Sequence, residues 1–205
     1  MSGQISDSFI FKGKEYSLIN MSGDGLATPE YFGMHATTMN TACYRGYVAT
    51  YEITETGIFL SGFTLRELNN NYQPIGGIMP VKDDPEQTPS ILDGDRVIGW
   101  SLTYKTKLGH YGCPVYSGIH ITIPFTGMLR LADGLIEKYY IHMGFQKASA
   151  FKTVIDITFN KGQITTIQNR SKEMRQIRGS FKKKYDSGDY RTTIAEAFSQ
   201  DMTII

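Results

Sequence analysis

Two runs of alternating isoleucines constrain this chain more than any other feature of it. Ile119, Ile121 and Ile123 alternate with His120 and Thr122, and Ile155, Ile157 and Phe159 alternate with Asp156 and Thr158. A period of two sends successive side chains to opposite faces of a pleated strand, so each run has one buried face and one more polar face. Between the runs, Gly127 and Asp133-Gly134 offer turns, and Leu135 to Ile141 makes a third apolar run. A β-sheet core is expected, with the stretch from Tyr116 to Phe159 at its centre.

The flanking sequence adds hairpins to that core. Phe9-Ile10-Phe11 and Tyr16 to Ile19 lie on either side of Lys12-Gly13-Lys14, a glycine-bearing turn. Cys43 to Thr54 reads as a strand with Tyr47, Ala49, Tyr51 and Ile53 on one face. Glu55-Thr56-Gly57 turns the chain, Ile58 to Phe63 returns it, and Thr64 to Leu68 suits a helical turn. Thr28-Pro29-Glu30 can open a short helical turn, with proline at the first helical position. Val97 to Tyr104, carrying the single tryptophan Trp100, suits another strand, and Asn160-Lys161-Gly162 closes a hairpin into Gln163 to Gln168. Asn69 to Asp95, with three consecutive asparagines, Gly76-Gly77 and four prolines, has no period and reads as a long irregular insertion. Near the end, Ser171 can cap a helix from Lys172 to Lys184, and Thr193 with Glu196 is spaced as a capping box for a second one.

The expectation is an α+β, β-rich fold: antiparallel sheet built from successive hairpins, in a sandwich or barrel-like form, with C-terminal helices. Residues 1–169 would form the core domain, with the insertion at about 69–95, and residues 170–205 a basic helical extension packed on it. A chain of 205 residues is long enough to bury such a core as one domain. Lysine and arginine total 21 against 20 acids, so the net charge of +1 gives no global pull toward nucleic acid or membrane. The N-terminal MSGQISDSF lacks the basic start and apolar core of a signal peptide. No apolar run approaches the roughly 18–20 residues that span a bilayer. With only Cys43 and Cys113 present, a cytoplasmic protein with reduced thiols is expected.

Two stretches together resemble a family. One is Thr41-Ala42-Cys43-Tyr44-Arg45-Gly46-Tyr47-Val48-Ala49 with Tyr51-Glu52-Ile53; the other is Tyr116-Ser117-Gly118, Gly134 and Tyr140-Ile141-His142-Met143-Gly144-Phe145. They look like a group of bacterial proteins, without an established activity, that open with a hairpin bearing a Gly-x-x-Tyr element. That group continues with a T-A-C-W-R-G-Y-x-A-x-W strand, a W-F-S-G strand and a Y-V-H-M-G-Y segment. Here Gly13-Lys14-Glu15-Tyr16 supplies the opening, and Tyr44, Tyr51 and Phe145 stand where the group has Trp, Trp and Tyr. The similarity runs over roughly residues 9 to 169 and leaves out the insertion and the basic tail. It implies a fold family and a bacterial source, and no mechanism.

Few residues offer chemistry. Arg45, between Tyr44 and Tyr47, could clamp a carboxylate or phosphate, pair with a buried acid such as Glu52 or Asp156, or stack on a ring. His142 is an acid–base candidate, with His120 its obvious companion, although a lone histidine among apolar residues more often bonds a backbone carbonyl. His110 lies close to Cys113, but Pro114 and a strand follow, so no helix N-terminus is there to lower the thiol pKa. The scattered histidines and cysteines lack zinc-type spacing, and no phosphate-binding loop is present, so neither metal nor cofactor is expected. The sharpest electrostatic feature is the segment 170–184, where Arg170, Lys172, Arg175, Arg178, Lys182, Lys183 and Lys184 face Glu173 alone. Arg175, Arg178 and Lys182 share one helical face, which is either an anion- or partner-binding surface or an ordinary solvated face.

Patterned hairpins with few clustered acid–base groups suit a binding scaffold better than an enzyme. The expected function is a non-enzymatic bacterial protein-binding module, concretely an immunity or neutralising protein for a toxin partner. The alternative is a small enzyme acting on an anionic or nucleotide substrate through Arg45 with His142 or His120. A third reading is RNA binding through the basic segment.

Overall fold

The computed structural model describes residues 2–81, 112–187 and 195–200. Eight strands follow in order: β1 (Ser8–Phe11), β2 (Lys14–Asp24), β3 (Tyr47–Thr54), β4 (Gly57–Leu65), β5 (Val115–Ile123), β6 (Thr126–Leu135), β7 (Phe151–Asn160) and β8 (Gln163–Asn169). Two short helices follow, α1 (Ser171–Gln176) and α2 (Ser180–Asp186), and a helical turn lies at 195–198. The expected strand from Val97 to Tyr104 with Trp100, the part of the insertion beyond Val81, and His110 all lie outside the described residues.

The strands form one sheet in the order β5-β4-β3-β1-β2-β6-β7-β8. Every neighbouring pair is antiparallel except one: β1 pairs antiparallel to β2 and parallel to β3, so the sheet is mixed. The parallel pairing arises because the chain leaves β2, makes the 3₁₀ turn Pro29–Phe32 and re-enters the sheet beyond β1. The expected β-rich α+β fold built from hairpins is present, as a single sheet that does not close into a barrel. It curls enough for the β7–β8 turn to meet the β5–β6 turn at one end, where the Gly162 N–H donates to the Phe125 carbonyl (2.7 Å). The Gln163 side-chain amide donates to the Thr56 carbonyl beside it (2.5 Å).

Every strand contributes to the core held inside the curl. Phe9, Leu18, Tyr51, Ile58, Leu60, Phe63, Tyr116, Leu129, Leu131 and Ile157 are each at most 1 % exposed. At roughly 1.5–3 kcal/mol per buried large side chain, this cluster supplies the main drive to fold. The Phe9 and Tyr51 rings stack at 4.7 Å, and the Tyr51 hydroxyl accepts from the Ala27 N–H at 3.1 Å. A buried tyrosine keeps its place when its hydroxyl has such a partner.

Several local expectations need correction. Gly127 and Asp133-Gly134 do not turn the chain; they lie within β6. Gly127 faces Gly23 across the β2–β6 ladder, where a Cβ would fall 2.0 Å from the Ser22 carbonyl, so two glycines let the strands cross closely. The third apolar run is a 3₁₀ turn at Glu137–Tyr139, not a strand. The strand expected from Cys43 starts only at Tyr47, and Thr64 and Leu65 end β4 instead of opening a helical turn. The helix expected over 172–184 breaks into α1 and α2 at Gly179, which sits at φ +81° with the Tyr139 ring 2.9 Å from where a Cβ would be.

Candidate functional site

Arg45 lies in the loop that leads into β3, and two of its three guanidinium nitrogens are spent on Asp7, while the buried Nε has no hydrogen-bond partner among the described residues. Its Nη1 and Nη2 donate to the two carboxylate oxygens at 3.0 and 2.5 Å, a bidentate pair. Asp7 is 4 % exposed, and one of its oxygens also accepts from the Ala49 N–H in β3 at 2.7 Å. The guanidinium rests over the Tyr47 ring, 4.7 Å from its centroid. Burial works against its charge, but Asp7 outweighs burial and holds Arg45 above its ordinary pKa. Neither Glu52 nor Asp156 is its partner. Asp7 stands alone in a polar N-terminal stretch, so no sequence period marks it out.

Asp156 serves a different pair of arginines. It points from β7 into the molecule, 2 % exposed, and accepts from Arg130 Nε (2.7 Å) and Nη2 (2.9 Å) on the neighbouring strand β6. Arg170, just past β8, donates to the same carboxylate at 3.0 Å and forks onto Glu173 at 2.8 and 3.0 Å. The hydrogen bonds that Arg170 donates to Glu173 and then Asp156 raise its pKa. The cross-strand register places Arg130 directly opposite Asp156, which is why the pair forms.

His120 and His142 are placed apart in the sheet order. His120 is exposed on the edge strand β5, stacked on Phe59 with centroids 4.1 Å apart. His142 is exposed in the β6–β7 connection, edge-on to Tyr140 at 5.0 Å. Among the described residues, no hydrogen bond or ion pair joins either histidine to the other or to Arg45. Cys43 and Cys113 are both buried free thiols, and burial pushes the Cys43 thiol up, away from the reactive thiolate. Among the described residues no group of three or more His, Cys, Asp and Glu side chains could hold a metal ion.

The basic segment is largely turned to structural use. Arg178 donates to the carbonyls of Ser149 (3.3 Å) and Phe151 (2.7 Å), tying the α1–α2 junction to the start of β7. Lys182 pairs with Asp186 one helical turn on, at 2.9 Å, and Lys184 pairs with Glu196 at 2.6 Å. Arg175 and Lys183 are exposed on the surface. One helical face of Arg175, Arg178 and Lys182 does not form, because the chain turns at Gly179 between the two helices.

The two segments of the family resemblance meet through the N-terminus. The Ile5 N–H donates to the Ala42 carbonyl (2.8 Å), while the Gln4 N–H donates to Gly144 (2.7 Å). The Gln146 side chain accepts from the Ile141 N–H and donates to its carbonyl, at 2.9 and 2.8 Å, so Ile141 to Gln146 is a closed loop. The Phe145 N–H then donates to the Ala197 carbonyl in the short helix at 195–198 (2.7 Å). The segment around His142 is therefore a clasp for both ends of the described chain.

Two further groups gave little sequence signal. Glu67, buried, accepts from the N–H groups of Asn69 and Asn71 at 2.7 Å each. Burial would raise its pKa, but the N–H donors of Asn71, Asn69 and His35 prevail and hold it below the usual carboxylate range. Lys147, 6 % exposed, donates to the carbonyls of Glu196 and, at 3.1 Å, Ser199. Burial pulls its pKa down to about 8, with Glu196 opposing. Above that pH the folded chain sheds this proton, while the unfolded chain keeps it until near the ordinary lysine value of 10.5. The unfolded state then binds more protons, so this group makes stability rise as pH rises through that window. In Lys147→Met that rise, on the order of 3 kcal/mol, should vanish from urea midpoints compared with wild type across the window.

A cavity of about 10 Å³ lies between Asn20, Arg130, Lys147 and Met174, with room for a single water at most. Among the described residues no helix is long and apolar enough to cross a membrane. No family model matches the chain, and no curated protein or solved structure is significantly similar to it.

Proposed function

We propose that this chain is a protein-binding module with no chemistry of its own, of the kind that neutralises a toxin by stoichiometric contact. One observation carries the reading: the arginines and lysine best suited to bind an anion are engaged in holding the fold, and the exposed His120 and His142 have, among the described residues, no charged group paired with them to share a reaction. Arg45 is matched by Asp7, Arg130 by Asp156, Arg178 by two carbonyls and Lys184 by Glu196. An anion clamp needs donors that face the ligand, and these face their own chain. The same engagement weakens the RNA reading, since it removes Arg178, Lys182 and Lys184 from the free charge available to phosphates.

What remains at the surface is a rigid curled sheet, exposed aromatic rings such as Tyr31 and Tyr44, and loops at the strand ends. The test is recovery of the tagged chain from its native host, followed by reconstitution with the purified partner. The expected result is a complex of fixed stoichiometry that abolishes the partner's toxicity when the two are co-expressed. Co-purification of nothing that re-forms a complex from pure components would overturn the reading.

A further inference from the structure

The two strands that end the sheet are β5 and β8, and neither contains a lysine, arginine, aspartate or glutamate. Sheets ordinarily blunt their edges with charge, proline, a bulge or a covering element, because an open edge is a template for another strand. β8 reads QITTIQN, and all of it except Ile164 is exposed. Its ladder with β7 shifts register once, at Thr165, and the shift leaves Ile164 opposite Phe159 and Ile167 opposite Ile157. Both isoleucines are thus on the core-facing side of the sheet. Ile157 is fully buried there and Ile164 packs on the core, yet Ile167 is 47 % exposed, so among the described residues the inner face is left uncovered at Ile167.

The main chain of β8 is open as well. The Arg170 N–H donates to the Val154 carbonyl at 2.9 Å, and alternation along an antiparallel pair then turns Gln168 and Thr166 toward β7. The N–H and C=O groups of Ile167 and Asn169 point the other way. Among the described residues none bonds to them. At the Gly162 end, β8 meets the turn that follows β5, but no ladder joins the two strands above that contact. The result is a seam shut at one end, with a bare strand edge along it.

We propose that the outer edge of β8 is the docking site for an extended segment of a partner protein, which adds to the sheet as a ninth strand. Main-chain bonds to Ile167 and Asn169 would supply affinity, and an alternating β-branched side chain would cover Ile167. The charge at the ends of β8 chooses the partner. Lys161 is exposed in the turn before the strand, and Lys172 and Arg175 are exposed on α1 just after it. None of the three has a carboxylate within an ion pair among the described residues, whereas Arg170 is matched by Asp156 and Glu173. A second copy laid antiparallel on β8 would set Lys161 of one chain against Lys172 and Arg175 of the other, at both ends. A foreign segment with carboxylates near its ends meets attraction instead.

This site deepens the binding-module reading and rests on it only for the partner's being a protein. The probe is a short synthetic peptide of alternating threonine and valine with glutamate at each end, compared with the same peptide ended by lysine. At low salt the glutamate peptide should bind roughly tenfold or more tighter, the gap narrowing at about 1 M salt, where the Debye length falls to ~3 Å. Ile167→Pro removes an N–H that β7 does not use, so it should leave the unfolding midpoint near wild type while binding falls at least about tenfold. Ile167→Lys, which keeps the N–H but charges the edge, should weaken binding similarly. Hydrogen exchange should show the Ile167 and Asn169 amides unprotected in the chain alone and protected with the glutamate peptide.

Equal affinity for both peptides would overturn the proposal, as would binding that survives both variants. Protection of those amides in the chain alone would mean its own residues already cover the edge, and a dimer that Ile167→Pro dissociates would mean a second copy does; either overturns it. A native complex unaffected by Ile167→Pro would sink this site and leave the binding-module reading standing. Peptide binding at β8 without any native partner would do the reverse.

Discussion

Replacing Asp156 with alanine is expected to destabilise the protein by about 3–5 kcal/mol, the cost of leaving a buried charge without its partner. The carboxylate is 2 % exposed and is the one acid that Arg130, itself 8 % exposed, forks onto. With it gone, Arg130 is left among β6, β7 and the 3₁₀ turn at Ala148–Ala150, beside a cavity with room for one water at most in place of two carboxylate oxygens. Against a total stability of roughly 5–15 kcal/mol, that loss is a large fraction of what holds the chain folded. The double replacement Arg130→Met with Asp156→Leu should recover most of the loss, since two apolar side chains of similar volume carry no desolvation penalty. Urea titrations of the single and double variants decide it. If Asp156→Ala shifted stability by less than about 1 kcal/mol, water would have to reach Arg130.

Asp7→Ala should rank next, at about 3 kcal/mol or more, because two kinds of donor lose one acceptor. Arg45 would be left half-buried over Tyr47 with no carboxylate, and the Ala49 N–H, in a strand residue that is fully buried, would be unpaired. Asp7→Asn keeps an acceptor for Ala49 and should cost about half as much. A double-mutant cycle with Arg45→Ala separates the two contributions: a coupling of more than about 1.5 kcal/mol assigns Arg45 to the fold. Coupling near zero, with binding to a partner lost in Arg45→Ala, would return Arg45 to the surface chemistry that its sequence context suggests.

Those two acids also show where the sequence was readable. The alternation at Ile119 to Ile123 and Ile155 to Phe159 named β5 and β7 correctly, because burial of one face leaves a period of two in the chain. The same alternation could not tell a strand glycine from a turn glycine. Gly127 and Gly134 look like turns until the facing strand is known, since the reason for Gly127 is Gly23, more than a hundred positions earlier. The parallel entry of β3 beside β1 was invisible for a related reason: hairpin signals specify only neighbours in sequence. The helical face of Arg175, Arg178 and Lys182 was drawn through Gly179, a residue whose positive φ ends a helix. As for the candidate site, spacing named Arg45 but not what holds it, because Asp7 reaches Arg45 across 38 residues and Ala49 across 42, and Lys147 reaches Ser199 across 52, contacts that leave no periodic trace.

The clasp between the two ends of the chain sets the order in which the molecule can be completed. The Met21 N–H donates to the Gln200 carbonyl at 2.7 Å, and the Gln200 side chain donates to the Leu18 carbonyl at 2.9 Å, a separation of 182 residues. Contacts so distant along the chain slow folding, since the loop must close before any bond repays it. During synthesis β1 to β4 can pair early, but β2 must wait for residue 200 to clear the ribosome tunnel before its last partners arrive. A nascent chain stalled short of that point would hold β2 between β1 and β6 with the Met21 N–H and the Leu18 carbonyl still lacking their Gln200 partners.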